Sequence, residues 1–199
     1  MLKVWDIGAL GEGRARHGLH RKPAPVVCMT AVRARGWLVV GLINTATRRY
    51  ALQVQDMKEP HEVLATVSLE DAFVLLSVSD DGRTLAAGGS DGTVRVYDFA
   101  AASEALARQQ ALKALAPIAS LAGHSKPVSS ITLFPDGRFL AASAMDSKII
   151  VWDLQTAKQA FRLQAAAGEQ FASAAAVHGG RELAAAIADG RVRVWEAVR

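Results

Sequence analysis

The feature that most constrains the fold is a short sequence that recurs along the chain. It reads KVWD at residues 3–6, and it recurs as VRVYD, IIVWD and VRVWE at residues 94–98, 149–153 and 192–196. A weaker copy, LQVQD, occupies residues 52–56. The equivalent central positions lie 50, 42, 55 and 43 residues apart. Repetition at intervals of this size indicates stacked copies of one supersecondary unit.

Other residues keep fixed distances from these copies. In the last three units a turn glycine lies 16 residues before the final acidic residue, and an aspartate lies six residues before the aromatic one. The glycines are Gly82, Gly137 and Gly180; the aspartates are Asp91, Asp146 and Asp189; the aromatic residues are Tyr97, Trp152 and Trp195. These matched offsets predict that every unit turns at the same places.

Each unit has the pattern of three antiparallel strands. Residues 72–98 read AFVLLSVS, DDGR, TLAAGGS, DG and TVRVYD, which are three strand-like stretches separated by two turn sequences. Gly accepts positive φ and Asp bonds its own backbone, so these turns favour hairpins. Residues 128–153 and 170–196 repeat the pattern, and residues 26–56 do so with a longer second turn. Because one such sheet cannot cover both its faces, we expect the units to stack radially.

With these units in place, the sequence resembles the WD-repeat (WD40) β-propeller family over essentially its whole length. The best match is residues 121–153, which contain the Gly-His pair at 123–124 and the Trp-Asp pair at 152–153. The resemblance implies an all-β fold, a WD40-type propeller with about four blades plus an extra N-terminal strand. Such a ring would be small, and either open or completed by a partner.

We therefore expect a single WD40 propeller domain, or a partial propeller, over residues 1–199. Its units are expected at about 7–56, 57–98, 99–153 and 154–196, after a strand of a preceding blade at 1–6. Rings of this family usually have about seven blades, so we expect an incomplete ring, truncated or completed by a second copy or another protein. The alternative is that residues 1–6 pair with the edge of the last unit.

The resemblance also implies a structural hydrogen-bond network within a blade. It comprises His124, Asp146 and Trp152, with Asp91, Tyr97, Asp189 and Trp195 at matching positions of other units. Ala142 stands where the family has Ser or Thr, which leaves Ser143 as the nearest candidate for that role. A catalytic or metal-binding His–Asp pair is the rival interpretation.

The sequence shows no catalytic or cofactor signature. Its five histidines lack metal-ligand spacing, and the one cysteine, Cys28, can neither complete a zinc site nor form an internal disulfide. P-loop and GxGxxG patterns are absent, and the GxSxG match at residues 88–92, GGSDG, lies in a predicted hairpin turn and not in the strand-to-helix turn of that motif. We expect no enzyme activity, no cofactor and no metal, and we interpret Cys28 as a core thiol. No apolar stretch reaches the roughly 18 residues that span a bilayer and no signal peptide is recognisable, so we expect an intracellular protein, cytoplasmic or nuclear.

An insertion separates the second and third units. Residues 99–117 are rich in strong helix formers, with Ser103 or Asp98 available as N-cap and Pro117 as a stop. Leu112 and Leu115 share one face of this predicted helix. The helix either folds onto the side of the propeller or docks a partner.

The positive charge is concentrated near the N-terminus. The chain has a net charge of +4, but residues 1–60 carry ten Lys and Arg against four Asp and Glu. Family geometry implies that one face of the disc holds Arg14, Arg16, Arg21, Lys22, Arg48, Arg49 and Lys126. They are either solvated surface charges or a patch that recognises an acidic protein or RNA phosphates.

The function that these patterns favour is a non-enzymatic WD-repeat scaffold, which mediates protein–protein interactions within a multiprotein complex. The alternative is a ribonucleoprotein subunit that contacts RNA phosphates through the basic first third. We expect protein partners, with self-association or partner completion of the ring, and no membrane span.

Overall fold

The computed structural model describes residues 3–5, 15–18, 25–57, 63–69, 72–107 and 115–196, with side chains from residue 25 onward except at residues 103, 106 and 107. These ranges form five antiparallel sheets. A two-stranded sheet pairs β1 (Lys3–Trp5) with β2 (Ala15–Gly18). The other four sheets follow one another along the chain, and we number them blades 1 to 4.

Each blade is a meander in which strands consecutive in sequence pair. Blade 1 contains β3 (Val26–Val32), β4 (Trp37–Asn44), β5 (Arg49–Asp56) and β6 (Val63–Leu69). Blade 2 contains β7 (Leu75–Val78), β8 (Thr84–Gly88), β9 (Val94–Asp98) and β10 (Ala119–Leu121). Blade 3 contains β11 (Val128–Leu133), β12 (Phe139–Ala144), β13 (Lys148–Asp153) and β14 (Lys158–Gln164). Blade 4 contains β15 (Phe171–Val177), β16 (Glu182–Ile187) and β17 (Val192–Glu196). The expected all-β, blade-type propeller fold is confirmed.

The fourth strand of a blade is encoded beyond the repeat that supplies the other three. β6 pairs with β5, β10 with β9, and β14 with β13. Each of these outer strands therefore precedes, in sequence, the three strands of the next blade. Consecutive units are interlocked by this hydrogen bonding.

The blades stack through their first strands. β3 packs against β7, β7 against β11, and β11 against β15. We call the side of a blade that faces the next blade its forward face, and the opposite side its backward face. On β9, Val94 and Val96 point forward into the cluster shared with blade 3, whereas Tyr97 points backward into the cluster shared with blade 1. Both faces are buried, which explains why strands of the middle blades are so uniformly apolar.

The four blades form an open arc in the described part of the chain. Among the described residues, β1 pairs with β2 and with no strand of blade 4, so completion of the last unit by residues 1–6 stays a prediction. Among the described residues, β17 pairs only with β16, and β15 does not pack extensively on β3.

The described part of the insertion between the second and third units begins with a helix, as the sequence predicts. The α-helix α1 spans Ala100–Ala107, and residues 108–114, including Leu112, lie outside the described residues. The Ala100 N–H donates to Asp98 Oδ1 at 2.9 Å, so Asp98 caps the helix, whereas the side chain of Ser103 lies outside the described residues. Leu115 is half-buried against the apolar cluster between blades 1 and 2, so at least this end of the insertion folds onto the sheets. Two 3-10 turns, Arg33–Arg35 and His178–Gly180, connect the first two strands of blades 1 and 4.

Candidate functional site

The best-preserved repeat brings a histidine, an aspartate and a tryptophan together in blade 3. His124 Nδ1 lies 3.1 Å and 3.2 Å from the two carboxylate oxygens of Asp146. The His124 ring meets the Trp152 ring edge-on, with centroids 5.7 Å apart. The side chains of His124 and Asp146 are 0% and 4% exposed, so this contact is sealed from solvent.

Asp146 joins two segments of the blade. Its carboxylate accepts hydrogen bonds from the backbone N–H groups of Ser125 and Lys148, at 3.0 Å and 3.2 Å. Burial raises the pKa of Asp146, but the Ser125 hydrogen bond, the His124 charge and hydrogen bond, and the Lys148 ammonium together lower this pKa below its usual value. The carboxylate therefore fixes the loop before β11 to the turn between β12 and β13.

The second nitrogen of His124 has a partner that the sequence does not reveal. Nε2 lies 3.2 Å from the carbonyl oxygen of Ala142, so both ring nitrogens face oxygen acceptors. Ser143 does not take the vacant Ser/Thr role, because its hydroxyl hydrogen-bonds that of Ser129 at 2.9 Å. With both nitrogens engaged and no solvent access, the geometry favours a structural role for His124 over catalysis or metal binding.

In blades 2 and 4 the turn aspartate is kept, but its partner is an arginine. Arg95 donates to Asp91 at 2.8 Å, and this hydrogen bond lowers the pKa of Asp91. Arg191 bridges Asp189 and Glu169 in blade 4. These arginines were not predicted, although their signal is present as an arginine two or four residues after the turn aspartate.

The two remaining aromatic positions differ in burial. Tyr97 is buried in the cluster between blades 1 and 2, on the backward face of β9. Trp195 is only half-buried, and it packs edge-on against Phe171 with centroids 5.9 Å apart.

The turns after the second strands and the loops before the first strands share one side of the arc, which we call the upper face. A Cβ atom added to Gly92, in the turn between β8 and β9, would lie 2.7 Å from the carbonyl oxygen of His124 in the loop before β11. Arg48 and Arg49 lie in and after the corresponding turn of blade 1, and Lys126 lies in the loop beside His124. All three cationic residues are exposed.

Other members of the expected basic patch cannot be located. Arg14, Arg21 and Lys22 lie outside the described residues, and only the backbone of Arg16, within β2, is described. The structure thus places three of the seven cations on the upper face and leaves the other four as predictions.

Cys28 packs partly against the cluster between blades 1 and 2, and burial raises the pKa of its thiol to about 12. Among the residues that the structure describes, no group of three His, Cys, Asp or Glu side chains can hold a metal ion.

In the same part of the chain, no helix combines the length and apolar character that crossing a bilayer requires.

Comparison with known families agrees with this geometry. The family pattern described as WD domain, G-beta repeat, matches residues 65–98 and 115–153. The two matched segments are WD repeats. The second match contains the whole His124–Asp146–Trp152 network, and the first contains Asp91 and Tyr97.

Curated relatives of this WD-repeat chain are similar over part of their length. The chain is 30% identical to Protein HIR1 of Kluyveromyces lactis over 39% of its own residues and 10% of that protein. It is 34% identical to WD repeat-containing protein SL1-17 of Schistosoma mansoni, over 45% of this chain and 26% of that protein. It is 24% identical to Telomerase protein component 1 of Rattus norvegicus, over 76% of this chain and 6% of that protein. The chain thus spans about a quarter or less of the relatives that it matches.

Proposed function

We propose that this chain is a non-enzymatic WD-repeat scaffold that mediates protein–protein interactions within a multiprotein complex inside the cell. The observation that carries the proposal is the burial of its best-preserved polar cluster. His124 and Asp146 hold blade 3 together and have no route to a substrate, which leaves the exposed loops as the surface available for recognition.

Rigid sheets and exposed loops suit this role. Loops held by a packed scaffold present a few side chains in fixed positions, and a few such side chains usually supply most of the binding energy. The interlocking of β6, β10 and β14 supports treating the chain as one domain with units near 7–56, 57–98, 99–153 and 154–196. One relative is named as a component of telomerase, which is consistent with membership of an assembly.

The test compares two triple charge reversals in the full chain. The first replaces Arg48, Arg49 and Lys126 on the upper face by Glu. The matched control replaces Arg33, Arg83 and Arg181, which lie exposed in turns between first and second strands, also by Glu. Affinity purification followed by mass spectrometry, with and without nuclease, measures the bound proteins.

We expect the upper-face variant to lose proteins that the control variant retains, with no effect of nuclease. Equal recovery by both variants would remove the upper face from the proposal. Loss of every partner after nuclease treatment would instead favour the second candidate function.

That second candidate is a subunit that contacts RNA phosphates. It is favoured by the three exposed cations Arg48, Arg49 and Lys126 on one face, because clustered cations attract phosphates. Counterion release predicts that RNA affinity falls steeply as salt rises, and that the upper-face reversal abolishes binding. Binding that does not change with salt would contradict phosphate contacts.

A further inference from the structure

The forward face of blade 4 is uncovered where the forward faces of blades 2 and 3 are buried. In β13, Ile149 and Val151 point forward into the cluster shared with blade 4, and they are 0% and 1% exposed. They lie three and five residues after the turn aspartate. At the same distances from Asp189, Val192 and Val194 of β17 are 66% and 56% exposed.

The contrast is not peculiar to blade 3. In β9, Val94 and Val96 also lie three and five residues after their turn aspartate, and blade 3 covers them. Wherever a described blade is followed by another, these two positions are therefore buried. Val192 and Val194 thus expose, in blade 4, the two positions that the preceding blades use for packing.

The complementary surface lies at the other end of the arc. In β11, Val128, Ile131 and Leu133 point backward and pack against blade 2. β3 aligns with β11 through the irregularity in pairing that each shows just after its first residue. This alignment gives Val26, Met29 and Ala31 as the counterparts in β3, and all three are exposed.

A polar contact between blades follows the same pattern. The Ser130 hydroxyl donates to the carbonyl oxygen of Ala174 at 3.1 Å and accepts from its N–H at 3.2 Å, which links β11 to β15. The counterpart of Ser130 in blade 4 is Ser173, which is exposed. The counterpart of Ala174 in blade 1 is Met29. The chain thus carries, on its two ends, both halves of the contact that joins its own neighbouring blades.

We propose that two copies of this chain complete one ring, with the forward face of blade 4 in each copy seated on the backward face of blade 1 in the other. We choose a second copy because the backward face of blade 1 has the residues needed to cover the forward face of blade 4. The contact would use the same strand alignment as the contact between blades 3 and 4. Two sets of four blades give eight, within the range of about four to eight blades that propellers adopt. A two-fold axis closes the pair, so assembly stops at two copies. This surface is distinct from the upper face, and the inference does not depend on the scaffold function.

The test measures the mass of the full chain by sedimentation velocity and light scattering over a wide dilution series. We expect twice the chain mass of 21.1 kDa at high concentration. Val194→Asp and Met29→Lys should each give monomers, because each places a charge in both contacts of the pair. Both side chains are exposed in the arc, so circular dichroism should show that the variants still fold.

Mixing the two variants is the decisive step. A mixed pair has one unaltered contact and one contact in which Asp meets Lys, so the doubled mass should return only in the mixture. Phe161→Asp is the matched control, because Phe161 is a similarly exposed apolar residue on the outer strand β14, away from both ends of the arc. It should leave the mass unchanged.

Three outcomes would overturn the proposal. A monomer at every concentration would assign the uncovered face to a further blade or to a different protein. A mass that grows without limit would indicate open head-to-tail chains rather than a closed pair. A dimer that survives both single variants would place the contact elsewhere on the molecule.

Discussion

Blades 3 and 4 contain nearly the same closing sequence, IIVWD and VRVWE, yet they use it differently. In blade 3 the tryptophan is almost fully buried beside a sealed His–Asp pair, with a blade on each side. In blade 4 the tryptophan is half-buried, the aspartate pairs with an exposed arginine, and the forward face lies open. The motif becomes a stabilising network only where a histidine-bearing loop enters the blade and a further blade covers it.

The largest difference should come from the two tryptophans. Trp152→Ala should lower the free energy of unfolding by about 3–5 kcal/mol, because it empties a large buried volume. Trp195→Ala should cost roughly 1–2 kcal/mol, since this side chain is partly solvated before the change. Urea denaturation followed by circular dichroism measures both. Equal losses of unfolding free energy would show that burial of blade 3 between two other blades does not account for the difference between the two tryptophans.

The next largest difference in stability is expected between removal of the partner of Asp146 and removal of the partner of Asp189. His124→Ala leaves the Asp146 carboxylate buried without its main side-chain partner, which should cost about 3 kcal/mol. Arg191→Ala removes an exposed partner of Asp189, so no measurable change in the urea midpoint is expected. A midpoint shift for Arg191→Ala as large as that for His124→Ala would contradict the distinction between buried and surface pairs.

Substitution of two turn glycines tests how closely the loop of one blade packs on the turn of the preceding blade. Gly92 has φ +81 and Gly190 has φ +94, so alanine is strained at both, by roughly 1–2 kcal/mol. At Gly92 the new Cβ would also collide with the backbone, because it would lie 2.7 Å from the carbonyl oxygen of His124. At Gly190 no atom lies within 4 Å of the new Cβ. Gly92→Ala should therefore be the more destabilising in thermal melts. The reverse order would mean that the two loops separate easily.

The smallest effect expected is a pH dependence. The pKa of Asp146 is lowered in the folded state, so its ionised form stabilises the protein above the ordinary value of 3.8, and this contribution is lost as pH falls below it. Unfolding free energies measured from neutral to acid pH should fall less steeply for Asp146→Asn than for the wild type. The other aspartates with lowered pKa values are common to both proteins, so the difference isolates Asp146. Parallel curves would contradict the pKa direction.

Much of the fold follows from the spacing of turn residues. Glycine and aspartate turn residues at fixed offsets predicted the three inner strands of blades 2 to 4, because positive φ at glycine and aspartate–backbone bonding are local properties. The outer strands were not predicted. β14 reads KQAFRLQ, which lacks the long apolar stretch of the inner strands, and it becomes a strand because the edge of β13 is available for pairing.

The sequence predicted the contacts of the site that join two side chains, but not those that join a side chain to the backbone. The pairing of His124 with Asp146 follows from the resemblance, but the Ala142 carbonyl that receives the second ring nitrogen is backbone, which no residue type signals. The burial of Tyr97 and the exposure of Val194 likewise depend on neighbours in space, and the residue letters at these positions are almost the same from unit to unit.

The placement of the outer strands has a consequence for how such a chain changes length in evolution. Because β6, β10 and β14 each belong in sequence to the stretch that opens the next unit, a unit boundary and a sheet boundary never coincide. Duplication or loss of one whole unit would give each interior sheet an outer strand from whichever unit follows. The number of blades can therefore vary without leaving an interior sheet short of a strand, and only the sheets at the two ends would be affected.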